Sequence, residues 1–126
     1  MNESAHDIQV RADTVYVEAQ SEPGAGRYLF AYTITIANAG TVAAQLLTRH
    51  WLITDANGRV QEVRGDGVVG EQPIIAPGTS FQYTSAAMLE TPLGSMAGSY
   101  HMRAEDGAEF DAPIPSFRLA VPRILH

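Results

Sequence analysis

The residues that most resemble a chemical motif form one six-residue stretch, 65–70, which matches Gly-x-Gly-x-x-Gly letter for letter. In dinucleotide-binding folds this spacing lets a strand turn into a helix whose N-terminal amides receive a pyrophosphate. Here residues 71–78 contain two prolines and an Ile-Ile pair, which disfavour a helix of useful length. Asp66 and Glu71 would also place negative charge beside the phosphates. We therefore interpret the three glycines as structural and predict no bound cofactor; they are Gly65, Gly67 and Gly70.

Two of the four histidines are weak metal-ligand candidates. Neither a His-x-His nor a His-Glu-x-x-His spacing occurs. Trp51 and Tyr100 are the bulky residues at their positions, so if both point into a core, His50 and His101 point outward from neighbouring strands. The alternative is two solvated surface histidines, and we favour it because no third ligand is evident nearby.

The chain carries no local signature of catalysis. Residues 94–98, Gly-Ser-Met-Ala-Gly, lack the spacing of a nucleophile elbow, and no local Ser, His and Asp pattern is found. The acidic segment 105–111 lacks the ligand spacing of a calcium loop and is interpreted as a solvated hairpin tip. We predict a protein that is not an enzyme and has no catalytic residue.

The elements that would position these residues are short strands. Large side chains alternate with small ones over residues 28–38, and the same pattern recurs between turn residues. A change of parity in the first such segment predicts a bulge or a bend near residues 12–14. Asn57-Gly58 predicts a hairpin, and Pro113 and Pro115 predict an edge or irregular final strand. About seven strands without a helix predict an all-β, two-sheet antiparallel sandwich of the immunoglobulin-like kind.

The composition limits the classes of partner that the chain is expected to bind. The chain has 126 residues, enough for one domain, with 45% hydrophobic and 17% charged residues and no cysteine. A net charge of −6, with eight scattered arginines, argues against nucleic acid. Without cysteines, a signal-like N-terminus or a long apolar run, we expect a cytoplasmic protein that does not contact membranes, either a monomer or a weak homodimer. We expect residues 1–7 to be a flexible tail and residues 8–126 to be a single domain.

A family resemblance covers the chain from about Ile8 to His126. It rests on five stretches: residues 49–55, Arg-His-Trp-x-Ile-Thr-Asp; residues 62–73 around the glycine motif; residues 77–83, Pro-Gly-x-x-Phe-x-Tyr; residues 89–102, from Leu-x-Thr-Pro to Tyr-x-Met; and residues 114–119, Ile-Pro-x-Phe-x-Leu. Together these resemble the ApaG family. The resemblance implies a seven-stranded sandwich similar to fibronectin type III domains. ApaG-like domains also occur in eukaryotic F-box proteins and in a DNA-polymerase-δ-interacting protein, where they look like protein-recognition modules, and the bacterial proteins are linked to cobalt and magnesium tolerance.

These observations lead to a hypothesis of a non-enzymatic protein-binding module. One predicted surface is the outer face of the sheet, with the partner-binding candidates His50, Leu52, His101 and Arg103. Another is formed by the loops at 65–72 and 91–98 together, and exposed sheet edges offer a third route by strand addition. The alternative is a small-ligand binder that takes a divalent cation such as cobalt or magnesium at the histidines, or a pyrophosphate-bearing nucleotide at Gly65–Gly70.

Overall fold

The computed structural model of the chain describes residues 4–122, which form eight strands and two three-residue 3-10 turns. The strands are β1 (Ile8–Tyr16), β2 (Tyr28–Asn38), β3 (Ala44–Asp55), β4 (Val60–Asp66), β5 (Ile74–Ile75), β6 (Ser80–Leu89), β7 (Leu93–Ala104) and β8 (Glu109–Ala120). The predicted fold class is confirmed, because these strands form two antiparallel sheets packed as a sandwich. One has the order β1-β2-β6, and the other has the order β4-β3-β7-β8 with β5 also paired to β3.

The core lies between the sheets and follows the predicted alternation. The even-numbered side chains of β2 point inward, and Phe30, Ile34 and Ile36 are fully buried. They meet Trp51 and Tyr100 from the other sheet, which are 2% and 0% exposed. Interior side chains at this burial each contribute roughly 1.5–3 kcal/mol through removal from water. The inward orientation of both aromatic residues is therefore confirmed.

Proline shapes the last strand as predicted. β8 lies at the edge of the five-stranded sheet, and its register with β7 shifts between Met96 and Gly98, opposite the segment that contains Pro115. A second irregularity occurs in β3 between Leu46 and Thr48. Both interruptions are consistent with bulges that re-aim side chains without ending the strand.

Two local predictions are wrong. β1 pairs with β2 without a register shift, so residues 12–14 form no bulge; Val15 is 64% exposed and simply faces outward. Residues 93–98 are not a loop, because β7 begins at Leu93 and pairs with both β3 and β8. Glycine and serine weaken the sequence signal for a strand there, but two neighbouring strands supply its ladder hydrogen bonds.

Residues before β1 lie against the domain. The amide of Thr41 donates to the carbonyl of Ala5 at 3.3 Å, and the amide of Ala39 donates to the carbonyl of Asp7 at 2.7 Å. His6 Nε2 lies 2.8 Å from the Asp106 carboxylate. Of the segment for which we expected a flexible tail, residues 1–3 lie outside the described residues. Within residues 4–122, no helix has the length and apolar character that crossing a membrane requires.

Candidate partner-binding face and glycine-rich loop

The two central strands of the five-stranded sheet bring the predicted histidines to one surface. β3 and β7 are antiparallel neighbours in which Thr48 lies opposite His101 and His50 lies opposite Ser99. Since Trp51 and Tyr100 point into the core, the residues beside them in sequence point outward. His50 and His101 both line a shallow cleft of about 310 Å³ on the outer face of this sheet.

His101 is held between two carboxylates of β8. Its Nδ1 lies 2.8 Å from Asp111 Oδ1, and its Nε2 lies 2.8 Å from Glu109 Oε1. The hydrogen bond to Glu109, followed by the one to Asp111, raises the pKa of His101. A ring that donates from both nitrogens is an imidazolium, so this arrangement favours the charged form.

His50 belongs to a second ionic group, shared with β4. Its Nε2 lies 2.6 Å from Glu62 Oε2, and Arg64 Nη2 donates to the same oxygen at 3.0 Å. The hydrogen bond with His50, together with the charge of Arg64, lowers the pKa of Glu62. These groups are exposed, so solvent screens them, and they organise the charge of the surface more than they stabilise the fold.

Apolar side chains complete the face beside these ionic groups. Leu52 is 39% exposed and lies opposite Glu62 across the β3–β4 pair, while Val60 on β4 is 58% exposed. Toward the other end, Arg103 approaches Gln45 and lines a cleft of about 510 Å³ beside exposed Ile74. The structure therefore places all four partner-binding candidates, His50, Leu52, His101 and Arg103, on one face.

Residues 4–122 contain no group of three or more His, Cys, Asp or Glu arranged to hold a metal ion.

The glycine motif forms a tight hairpin. Val68 and Glu71 exchange two backbone hydrogen bonds of 2.8 and 2.9 Å. The residues between them, Val69 and Gly70, have φ angles of 44° and 80°. Two positive φ angles in a two-residue connection indicate a type I′ turn. The chain therefore turns back where the dinucleotide mechanism requires a helix N-terminus.

Arg49 explains why the motif begins with glycine, although it is not among the functional residues predicted from the sequence. Its Nη1 donates to the carbonyl oxygens of Asp66 and Gly67 at 3.0 and 2.9 Å. A Cβ added to Gly65 would lie 2.8–2.9 Å from three guanidinium atoms, so the guanidinium packs flat against this glycine. A Cβ on Gly67 would lie 2.2 Å from the carbonyl oxygen of Glu71. The sequence signal that could have identified Arg49 is its position two residues before Trp51, which places an arginine on the inward face of β3.

The two predicted recognition loops do not lie together. Asp66, at the start of the glycine motif's hairpin, is opposite Thr48, whereas Gly94 is opposite Asp55 near the other end of β3. Seven residues of strand separate these positions, which corresponds to roughly 24 Å. A joint surface made from loops 65–72 and 91–98 is therefore wrong, both for this distance and because residues 93–98 belong to β7.

Comparisons with known proteins agree with each other. A family profile described as the ApaG domain matches residues 18–104. The chain is 64% identical over 119 residues to Protein ApaG of Azoarcus sp., covering 94% of each chain, and 60% identical over 126 residues to Protein ApaG of Pseudomonas paraeruginosa, covering 100% of each. It is similar to a crystal structure of an ApaA protein from Bordetella pertussis, with a TM-score of 0.94 and 50% identity over 98% of this chain and 100% of that one.

Proposed function

Because this chain belongs to the ApaG family, we propose that it acts as a non-enzymatic protein-binding module whose recognition surface is the outer face of β4-β3-β7-β8. The observation that carries the proposal is the convergence of His50, Leu52, His101 and Arg103 on that one face. We place its partner in the cytoplasm, as the absence of cysteine suggests.

The two outer faces of the sandwich differ in chemistry. The central strand of the three-stranded sheet presents neutral hydroxyl groups, with Thr33 bonded to Thr84 at 2.8 Å and Thr35 accepting from Gln82 at 3.0 Å. The edge strand β1 adds one ion pair to that face, Arg11 with Asp13 at 3.8 Å, and the exposed side chain of Val15. The five-stranded sheet carries two hydrogen-bonded ionic groups, one around His101 and one around Glu62, beside exposed Leu52. An apolar anchor within a more extensive polar surround is typical of protein interfaces, so we favour the five-stranded face.

The size of the face is sufficient for a specific interface. Four strands at about 4.8 Å spacing and about 12 residues of about 3.4 Å each span at most roughly 19 by 40 Å, or about 760 Å². A standard interface buries about 800 Å² on each partner. A partner that covers the whole face, from Val60 at one end to Arg103 at the other, would therefore bury an area close to this size.

Charge defines the kind of partner. The face alternates in sign, with His101 between Glu109 and Asp111 and with Glu62 between His50 and Arg64. A folded protein surface with interspersed charges and one apolar pocket for Leu52 would match it, whereas a surface of a single sign would meet like charges.

Affinity capture with matched variants tests the proposal. The tagged protein would be compared with a variant that carries His50→Ala, Leu52→Ser and Arg103→Ala together. The control carries Thr35→Ala, Gln82→Ala and Thr84→Ala on the opposite face. We expect the control to retain the specific partners of the unmodified protein, identified by mass spectrometry, and the first variant to lose them.

A purified partner then gives the decisive measurement. Calorimetric titration should show at least a tenfold loss of affinity for the His50, Leu52 and Arg103 variant, since truncating central contacts typically costs more than 1 kcal/mol each. Circular dichroism and thermal melting establish that this variant is folded. Equal affinities for the two variants would exclude this face.

A further inference from the structure

A second polar site lies on the opposite side of β3, between the sheets. At the edge formed by β4 and β6 a cleft of about 340 Å³ opens between the two sheets. Its lining includes Arg49, Tyr83 and Ser85, with Trp51 and Tyr32 as aromatic walls and the hairpin residue Val69 at the rim. Arg49 also lines a neighbouring cleft with His50 and Arg64, whereas Tyr83, Ser85 and the aromatic walls are separate from the outer face described above.

Arg49 has hydrogen-bonding capacity left over in this cleft. Among residues 4–122 its side chain bonds only through Nη1, to the carbonyl oxygens of Asp66 and Gly67. Within the same described residues, every buried side-chain nitrogen or oxygen has a partner, so Nε and Nη2 of this half-buried arginine reach solvent. These two nitrogens form the edge of the guanidinium that donates two parallel hydrogen bonds to a carboxylate.

A tyrosine hydroxyl adds a third donor. Tyr83 and Tyr100 share a hydrogen bond of 2.5 Å across the sandwich, which uses one of their two hydroxyl protons. Tyr100 is completely buried, so leaving its proton without an acceptor would be costly, and the favoured orientation has Tyr100 donating to Tyr83. The proton of Tyr83 is then directed elsewhere, and Tyr83 lines the cleft. Burial raises the pKa of Tyr83 to about 12, which keeps this hydroxyl a donor at neutral pH.

The charges of the cleft favour a singly charged ligand over a doubly charged one. Arg49 is the cation among its lining residues and binds the ligand directly, whereas the carboxylate of Asp66 in the same lining opposes each negative charge that the ligand brings. The free guanidinium edge is planar and bidentate, which suits a carboxylate. We propose that the cleft bounded by Arg49, Tyr83 and Ser85 is a carboxylate-binding site, with the carboxylate held by the Nε–Nη2 edge and the Tyr83 hydroxyl.

Trp51 provides a direct readout, because it lines the cleft and is the only tryptophan of the chain. Sodium acetate would be titrated at constant ionic strength against sodium chloride, with the tryptophan emission recorded. We expect a saturable change with acetate and none with chloride alone. Strictly linear changes that are equal for both salts would overturn the proposal.

Three variants separate binding from folding. Tyr83→Phe keeps the ring but removes both the donor to the ligand and the acceptor of Tyr100, so circular dichroism and thermal melting first establish that it is folded. The folded variant should bind acetate on the order of tenfold more weakly, the value for a hydrogen bond to a charged group. Arg49→Lys should abolish saturable binding, while the exposed Arg59→Lys should bind as the unmodified protein does. If Arg49→Lys fails to fold, the Tyr83→Phe result decides, since unchanged affinity there contradicts the site.

The source of the carboxylate is distinguished by three further probes. The peptide acetyl-Gly-Asp-Gly-amide is compared with acetate and with the matching Asn peptide. Tighter binding of the Asp peptide alone assigns the site to a side chain of a protein partner, whereas equal binding of acetate and the Asp peptide assigns it to free carboxylic acids. Inorganic phosphate that binds more tightly than acetate would overturn the carboxylate assignment.

Discussion

Replacing Gly65 with alanine should loosen the hairpin by displacing Arg49. The backbone of Gly65 is not in the left-handed region, so alanine is tolerated there except for its contact with the guanidinium at 2.8–2.9 Å. The guanidinium must move, which weakens one half-buried and one exposed hydrogen bond. Losing both hydrogen bonds lowers the free energy of unfolding by about 2–2.5 kcal/mol. Alanine also stiffens the unfolded chain, which restores about 0.5–1 kcal/mol, so we expect the free energy of unfolding to fall by about 1–2 kcal/mol.

Urea unfolding followed by Trp51 fluorescence measures this loss. With an m-value of about 1.5–2 kcal/mol/M, the midpoint should fall by about 0.5–1.3 M. Gly24→Ala is the matched control, because an added Cβ there meets nothing within 4 Å, and its midpoint should be unchanged or slightly higher. A Gly65→Ala midpoint equal to that of the unmodified protein, with an unshifted Arg49 Nε resonance, would refute the packing argument.

Three further changes test other parts of the structure. Gly98→Ala places a Cβ 2.0 Å from the carbonyl oxygen of His50, so β3 and β7 must move apart. We expect the free energy of unfolding to fall by more than about 3 kcal/mol in the same urea assay, and near-normal stability would contradict this close approach. Val69→Asn relieves a β-branched residue at a φ of 44° and should stabilise by about 1 kcal/mol, so a lower melting temperature would contradict the turn assignment. The pKa of His101, followed by NMR, should exceed its ordinary 6.5 and fall in Glu109→Gln. Its contribution to stability is complete below about pH 6.5 and is lost as pH rises through the raised pKa, and a pKa at or below the ordinary value would exclude the bridged imidazolium.

The exposed carboxylates change stability with pH in the direction opposite to His101. The pKa values of Glu62 and Asp106 are lowered, by the hydrogen bond from His50 in the first case and by the backbone amide of Ala108 in the second. Their stabilisation is present above the ordinary carboxylate pKa and is lost as pH falls through the lowered values. Because of these two effects, the surface ion pairs contribute most to stability between about pH 4 and 6.5.

The amino-acid sequence alone determined the sandwich and the sides of its strands. In β2 the alternation of large and small residues is local, and the pleat converts it directly into buried and exposed faces. The same rule applied to Trp51 and Tyr100 predicted the outward direction of His50 and His101. It failed for Val15, an apolar residue left in solvent, and for residues 93–98, whose small side chains carry little periodic signal.

Only the tertiary structure decided what the glycine motif does and where the second polar site lies. The contact of Arg49 with Gly65 joins β3 to β4, and the bond between Tyr83 and Tyr100 joins β6 to β7. Such contacts depend on the register of β3 against β4 and on the packing of one sheet against the other. Local periodicity contains neither quantity, because it specifies the face on which a side chain lies and not the residue that it meets there.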